Sequence, residues 1–154
     1  MRRIASGVSL GVAVLVATLL AASAGATTTR IPVTSFVETD IHWVSGPTAQ
    51  WQEGNVLHIR GLVLMGHHFG SPYLQGWNTL TVNQNVNLLT GAVEQWGTID
   101  WRLDGIDGIT GGWTGSFSDN GGSATGYGSI AGWHAHVRLV PDGLAGYVFS
   151  PGDK

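Results

Sequence analysis

Apolar and polar residues alternate with a period of two along most of this chain, the signature of strands with one buried face. Between residues 33 and 44 the odd positions Val33, Val37, Ile41 and Trp43 are apolar, while Glu38, Asp40 and His42 take even ones. Residues 55–65 repeat the pattern, with Leu57, Ile59, Val63 and Met65 on one face and His58 and Arg60 on the other. Leu62-Val63-Leu64-Met65 is apolar on both faces, which predicts cover on its outer side by a neighbouring segment, a lid or an oligomer partner. Residues 79–89 set Leu80, Val82, Gln84, Val86 and Leu88 against Thr79, Thr81, Asn83, Asn85 and Asn87. Residues 92–103 return with Val93, Ile99, Trp101 and Leu103 inward and Glu94, Thr98, Asp100 and Arg102 outward.

The stretch from Trp113 to Phe149 organises the rest. Its short alternating runs are divided by Asn120-Gly121-Gly122 and Pro141-Asp142-Gly143, both strong turn signals. Glycine recurs inside the runs at Gly115, Gly126, Gly128, Gly132 and Gly146. Glycine weakens a strand unless the strand must bend or let something pack close to its backbone, and tightly coiled sheets that close on themselves need both. The expected fold is all-β, a small antiparallel closed β-barrel of about eight strands. Alternation places Gln84, Gln95, Tyr127 and Tyr147 on the core-facing phase, and no Asp, Glu, Lys, Arg or His falls on that phase in any expected strand.

Composition changes the picture at the N-terminus. Arg2 and Arg3 precede an apolar run over residues 8–22, followed by the small-x-small sites Ala22-Ser23-Ala24 and Ala24-Gly25-Ala26. A secretory signal peptide over residues 1–26 is expected, leaving one domain over residues 27–154 that is secreted or periplasmic in a bacterium. No cysteine is present, so disulfides play no part. The mature chain keeps five basic and all ten acidic residues, a formal charge of −5. That balance argues against nucleic acid and, once the signal is removed, against membrane as partners.

The chemistry-bearing residues concentrate in residues 66–77, which read as the longest irregular segment and as a lid over a barrel mouth. His67 and His68 are the candidate acid or base there, since imidazole titrates near neutrality, and Phe69, Tyr73 and Trp77 are candidate ligand contacts. Tyr127 is a third catalytic candidate. Gln84, Gln95, Trp101, Tyr127 and Tyr147 complete the expected interior ligand-binding set. His134 and His136 lie on one strand face about 7 Å apart, a separation at which two ligands can share a metal. The opposite phase, Trp133, Ala135, Val137 and Leu139, is the apolar one, so both histidines are expected outside and no metal site is assigned. Asp104 and Asp107 lack the ligand pattern of a calcium loop and read as a turn. No nucleotide-binding, zincin or serine-nucleophile motif is present, and no cofactor is expected.

WTGSFS, the Gly/Asn turn, GSATGYGSIAGW and the closing GYVFSPG resemble the C-terminal strands of the allene oxide cyclase and dirigent-like superfamily, within the broader calycin-like group. The resemblance covers about forty residues and is a glycine rhythm. It implies an eight-stranded antiparallel barrel, often oligomeric, with an apolar cavity in which some members cyclise or orient hydrophobic substrates without a cofactor. The reading is a secreted barrel that takes a small apolar or aromatic ligand inside, a cofactor-free cyclase or isomerase being its enzymatic form. Self-association into a homo-oligomer is one expected form of the cover over residues 62–65. The alternative is a surface module whose Trp51, Trp96, Asn-rich face and outward histidines bind glycan or a partner protein.

Overall fold

A computed structural model describes residues 28–37, 42–141 and 143–152. The signal peptide expected over residues 1–26, and the faces assigned to Glu38, Asp40 and Ile41, lie outside these residues. Ten strands follow in order: β1 (Thr29–Val37), β2 (His42–Ser45), β3 (Ala49–Glu53), β4 (Val56–Gly70), β5 (Gly76–Asn87), β6 (Val93–Leu103), β7 (Gly111–Ser118), β8 (Gly121–Gly128), β9 (His134–Val140) and β10 (Gly143–Ser150). One 3₁₀ turn, Ile106–Gly108, sits between β6 and β7, where a plain loop was expected.

Every pairing is antiparallel, in one ten-stranded sheet. Eight strands form a ring: β10, β9, β8, β7, β6, β5 and β4 pair in succession, and β1 pairs with both β10 and β4. The second seam is short, with Ser35, Phe36 and Val37 opposite Gly70, Phe69 and His68. Beyond it, β2 and β3 continue the line of β1 along the same edge of β4. β7 pairs with β6 only as far as Trp96. The outer parts of β4, β5 and β6, edged by β3, therefore stand past the rim as a four-stranded extension.

β4 contains a bulge that resets its faces. Ile59 pairs with Gln84 but Leu62 pairs with Val82, so β4 uses three residues where β5 uses two. Such an extra residue inverts the alternation that follows it. Gly61 takes φ +67 at this point, and its N–H donates to Asn83 Oδ1 at 3.2 Å. Leu57 and Ile59 face inward before the bulge; Leu62, Leu64, Gly66 and His68 do so after it. The inward assignment of Val63 and Met65 is corrected accordingly. The expected irregular segment is corrected too. β4 runs on through His67, His68 and Phe69 to Gly70, and only residues 71–75 form a turn.

One end of the ring is filled. Trp113, Leu74, Ile130 and Val148 are almost wholly buried, with Trp101 and Ala135 beside them. Leu74 and Ile130 come from the turns after β4 and β8, so the turns plug this end while the strands wall it. Trp113 Nε1–H donates to Tyr73 O at 2.7 Å, tying plug to wall. On β8 the inward phase is Gly122, Ala124 and Gly126, with Trp113 paired opposite Gly126. A Cβ at Gly126 would run into Ile130, so glycine there lets the following turn seat Ile130 in the core. Tyr127 therefore faces out, and on β10 the same phase carries Leu144, Gly146 and Val148 inward and Tyr147 outward. The interior placement expected for Tyr127 and Tyr147 is corrected: both are substantially exposed. His134, His136 and Arg138 are exposed on the outer face, as the alternation required.

Gly128 closes β8 with φ +72, and a Cβ there would meet Gly111 Cα at 2.6 Å and Thr110 O at 2.8 Å. Backbone atoms on a paired strand cannot swing aside as a side chain can. Valine's strand preference is up to about 1 kcal/mol, smaller than the combined overpacking and left-handed penalties of about 2–5 kcal/mol. Gly128→Val is expected to lower the urea midpoint. Gly46→Ala, where nothing lies within 4 Å of the added carbon, is expected to leave it unchanged or raise it.

Candidate functional site

The other end of the ring holds a cavity of about 250 Å³. Its walls are Leu64, Leu80, Val82, Ile99, Phe117 and Val137, from five strands. Its inner end meets the core at Trp101, His68 and Asn78, and Gln95, Ser118 and Leu139 border the mouth. No Asp, Glu, Lys or Arg lines it. An ion moved into such a space would lose its hydration with no partner to replace it, so the site selects neutral molecules.

His68 is the one titratable group in this wall. The bulge at Gly61 turns it inward, and it is 4 % exposed. Asn78 Nδ2–H donates to His68 Nε2 at 2.6 Å. The neutral ring then carries its proton on Nδ1 and donates it to Ser35 Oγ at 3.2 Å. This chain of three crosses β1, β4 and β5 next to the short seam. The imidazole also lies 4.4 Å from the Trp101 ring, centroid to centroid. Burial, and secondarily the neighbouring His67, push the His68 pKa down to about 4. With both nitrogens engaged and the ring neutral at pH 7, His68 holds Asn78 in place; it has no free position from which to move a proton. Asn78 keeps Oδ1 and its second N–H without a protein partner among the described residues. The Trp101 indole N–H is likewise buried with no partner among them.

His67 takes the opposite face, as adjacent strand residues must. Its Nε2 lies 2.9 Å from Asp104 Oδ2, and the ring packs edge-on against Phe69 and Trp77. The pair fastens the start of the β6–β7 connection to the outside of β4. Neither His67 nor its partners line the cavity.

The expected ligand contacts thus separate. Gln95 and Trp101 line the cavity, and Gln84 pairs with Gln95 at its mouth. Tyr73 belongs to the plugged end, stacked on Trp133 at 5.3 Å. Phe69 and Trp77 lie outside against His67; Phe69 also stacks on Phe36. Tyr147 lies outside under the Arg30 guanidinium, 3.4 Å from its ring centroid. Tyr127 reaches over Gly112 to donate to Trp101 O at 3.4 Å from the outer side. Sequence reasoning missed Ser35 and Asn78. Each was reachable by extending a recognised alternation one step, from Val33 to Ser35 and from Leu80 back to Asn78. His68 was a candidate from the sequence, but nothing comparable marked its inward placement, because its orientation depends on the bulge.

His134 and His136 open onto a shallow groove outside, and no group of three or more His, Cys, Asp or Glu residues placed to hold a metal occurs among the described residues. No protein-family model matches the chain, and neither the curated proteins nor the solved structures contain a match.

The buried neutral imidazole makes stability depend on pH. Unfolded, His68 binds a proton below about pH 6.5; folded, it does so only below about 4. The unfolded chain therefore holds more protons between these values, and stability falls as pH drops through that window, by about 3 kcal/mol in all. Urea midpoints measured from pH 7.5 to 4 should show this loss, and His68→Gln should flatten it while lowering stability at pH 7.

Proposed function

We propose that the ring acts as a small closed barrel of the calycin-like kind, exported from the cell, that binds a neutral, largely apolar small molecule. The observation that carries this reading is the enclosed cavity, apolar along its walls and uncharged throughout, with Asn78 held at its inner end. Such a space is small for a ligand site, whose usual range begins at about 300 Å³, and it suits a compact ring or a slender chain. Asn78, fixed by His68, orients the ligand through a hydrogen bond. A cofactor-free rearrangement in this site would rely on shape and exclusion of water, since His68 is not free to act as acid or base.

A second reading, a surface that binds glycan or protein, draws on a different feature. An open groove of about 870 Å³ crosses the outer faces of β7, β8, β9, β10 and β1, lined by Ser116, Ser123, His136, Arg138, Tyr147 and Thr34. Its size reflects its openness to solvent. The Trp51 and Trp96 face is less available, because the Arg60 guanidinium lies 5.0 and 4.8 Å from the two rings. The cavity is the better-defined site.

Filling the cavity tests the first reading. N-phenyl-1-naphthylamine should gain fluorescence with the wild-type chain. Leu80→Trp should abolish the gain while leaving the urea midpoint unchanged or raised, because the indole enters empty space. No gain with the wild type, or an equal gain with the variant, would refute interior binding.

A further inference from the structure

The cavity is polar at both ends and apolar between them. At the inner end, Asn78 is 5 % exposed and offers an acceptor and a donor that no described residue uses. Six residues further along β5, about 20 Å of extended strand, Gln84 stands beside Gln95 of β6 as a directly paired couple on the inward face. Both glutamines are half-buried, and among the described residues neither side-chain carboxamide has a hydrogen-bond partner. Between the two ends the inward residues are Leu80 and Val82 on β5, and Ile99 and Gly97 on β6. Ile59 of β4 stands level with Gln84, and beyond that row the inner face of the extension is apolar again, with Leu57, Val86 and Val93. The carboxamides thus form a polar band within an otherwise apolar track.

We propose, building on the interior-binding reading above, that the ligand is a neutral, elongated molecule with a hydroxyl-like group at each end, one held by Asn78 and the other by Gln84 and Gln95. A hydroxyl both donates and accepts, and each carboxamide presents both complementary functions. A carboxylate or ammonium would meet no opposite charge at either end. A purely apolar chain would displace solvent from the Asn78 amide and leave it unpaired.

The full mature chain can be titrated with 1-octanol and 1,8-octanediol, following the side-chain amide resonances by NMR. Both probes should shift the Asn78 carboxamide, and only the diol should shift those of Gln84 and Gln95. A Gln84→Leu, Gln95→Leu double variant, altered at the mouth and so expected to fold, should bind the diol about tenfold more weakly and the mono-alcohol unchanged. If the diol leaves both glutamines unshifted, or the double variant weakens both probes alike, the two-ended ligand is refuted while interior binding stands. If neither probe shifts Asn78 and the fluorescent probe fails as well, interior binding and the two-ended ligand fall together.

Discussion

Antiparallel pairing forces side chains to alternate, so one extra residue in a strand exchanges inside and outside for everything after it. β4 takes that extra residue at Gly61, whose left-handed φ is costly for side chains with a Cβ and whose N–H is received by Asn83. Without it, His67 would face the interior and His68 the solvent side. With it, Leu57 and Ile59 before the bulge share a face with Leu64 and His68 after it. The apolar track can therefore run unbroken from the extension into the ring. The cavity wall, the buried imidazole and the outer His67–Asp104 pair all follow from this one register step.

The interior is divided by size. Trp101 and Trp113 share this end with small inward residues on the facing strands: Gly122, Ala124 and Gly126 on β8, Ala135 on β9 and Gly146 on β10. Residues from the turns then close that end. Toward the other end the inward residues are mostly aliphatic, with Phe117 the one aromatic wall among those described and none as large as an indole, so the same ring that is solid below stays hollow above. The hydrogen-bonded chain of Ser35, His68 and Asn78 stands at the boundary. It satisfies polar groups that would otherwise be buried unpaired, and it joins β1 to β4 and β5 near the seam where backbone pairing is shortest.

That chain also gives His68 a supporting role. A catalytic imidazole needs a nitrogen free to exchange a proton and a pKa near the working pH. His68 has neither, since burial suppresses its charge and both nitrogens are engaged. Its effect is exerted through Asn78, the group that keeps free hydrogen-bonding capacity where the cavity meets the core.

The amino-acid sequence by itself determined most of the strands, though neither β3 nor the last part of β4, together with the all-β class and the outward placing of His134, His136 and Arg138, because period-two patterning is local and survives any arrangement of neighbours. It also marked Gln84, Gln95 and Trp101 as inward, since β5 and β6 alternate without interruption. Only the tertiary structure decided which of two adjacent histidines enters the interior, because a bulge is defined by pairing with another strand. It decided as well that Tyr127 and Tyr147 lie outside. In glycine-rich strands the alternation does not say which phase is buried, since glycine serves equally as filler beneath a tryptophan or as a gap on the surface. The hollow itself arises from the sum of side-chain volumes across eight strands, a quantity no single segment contains.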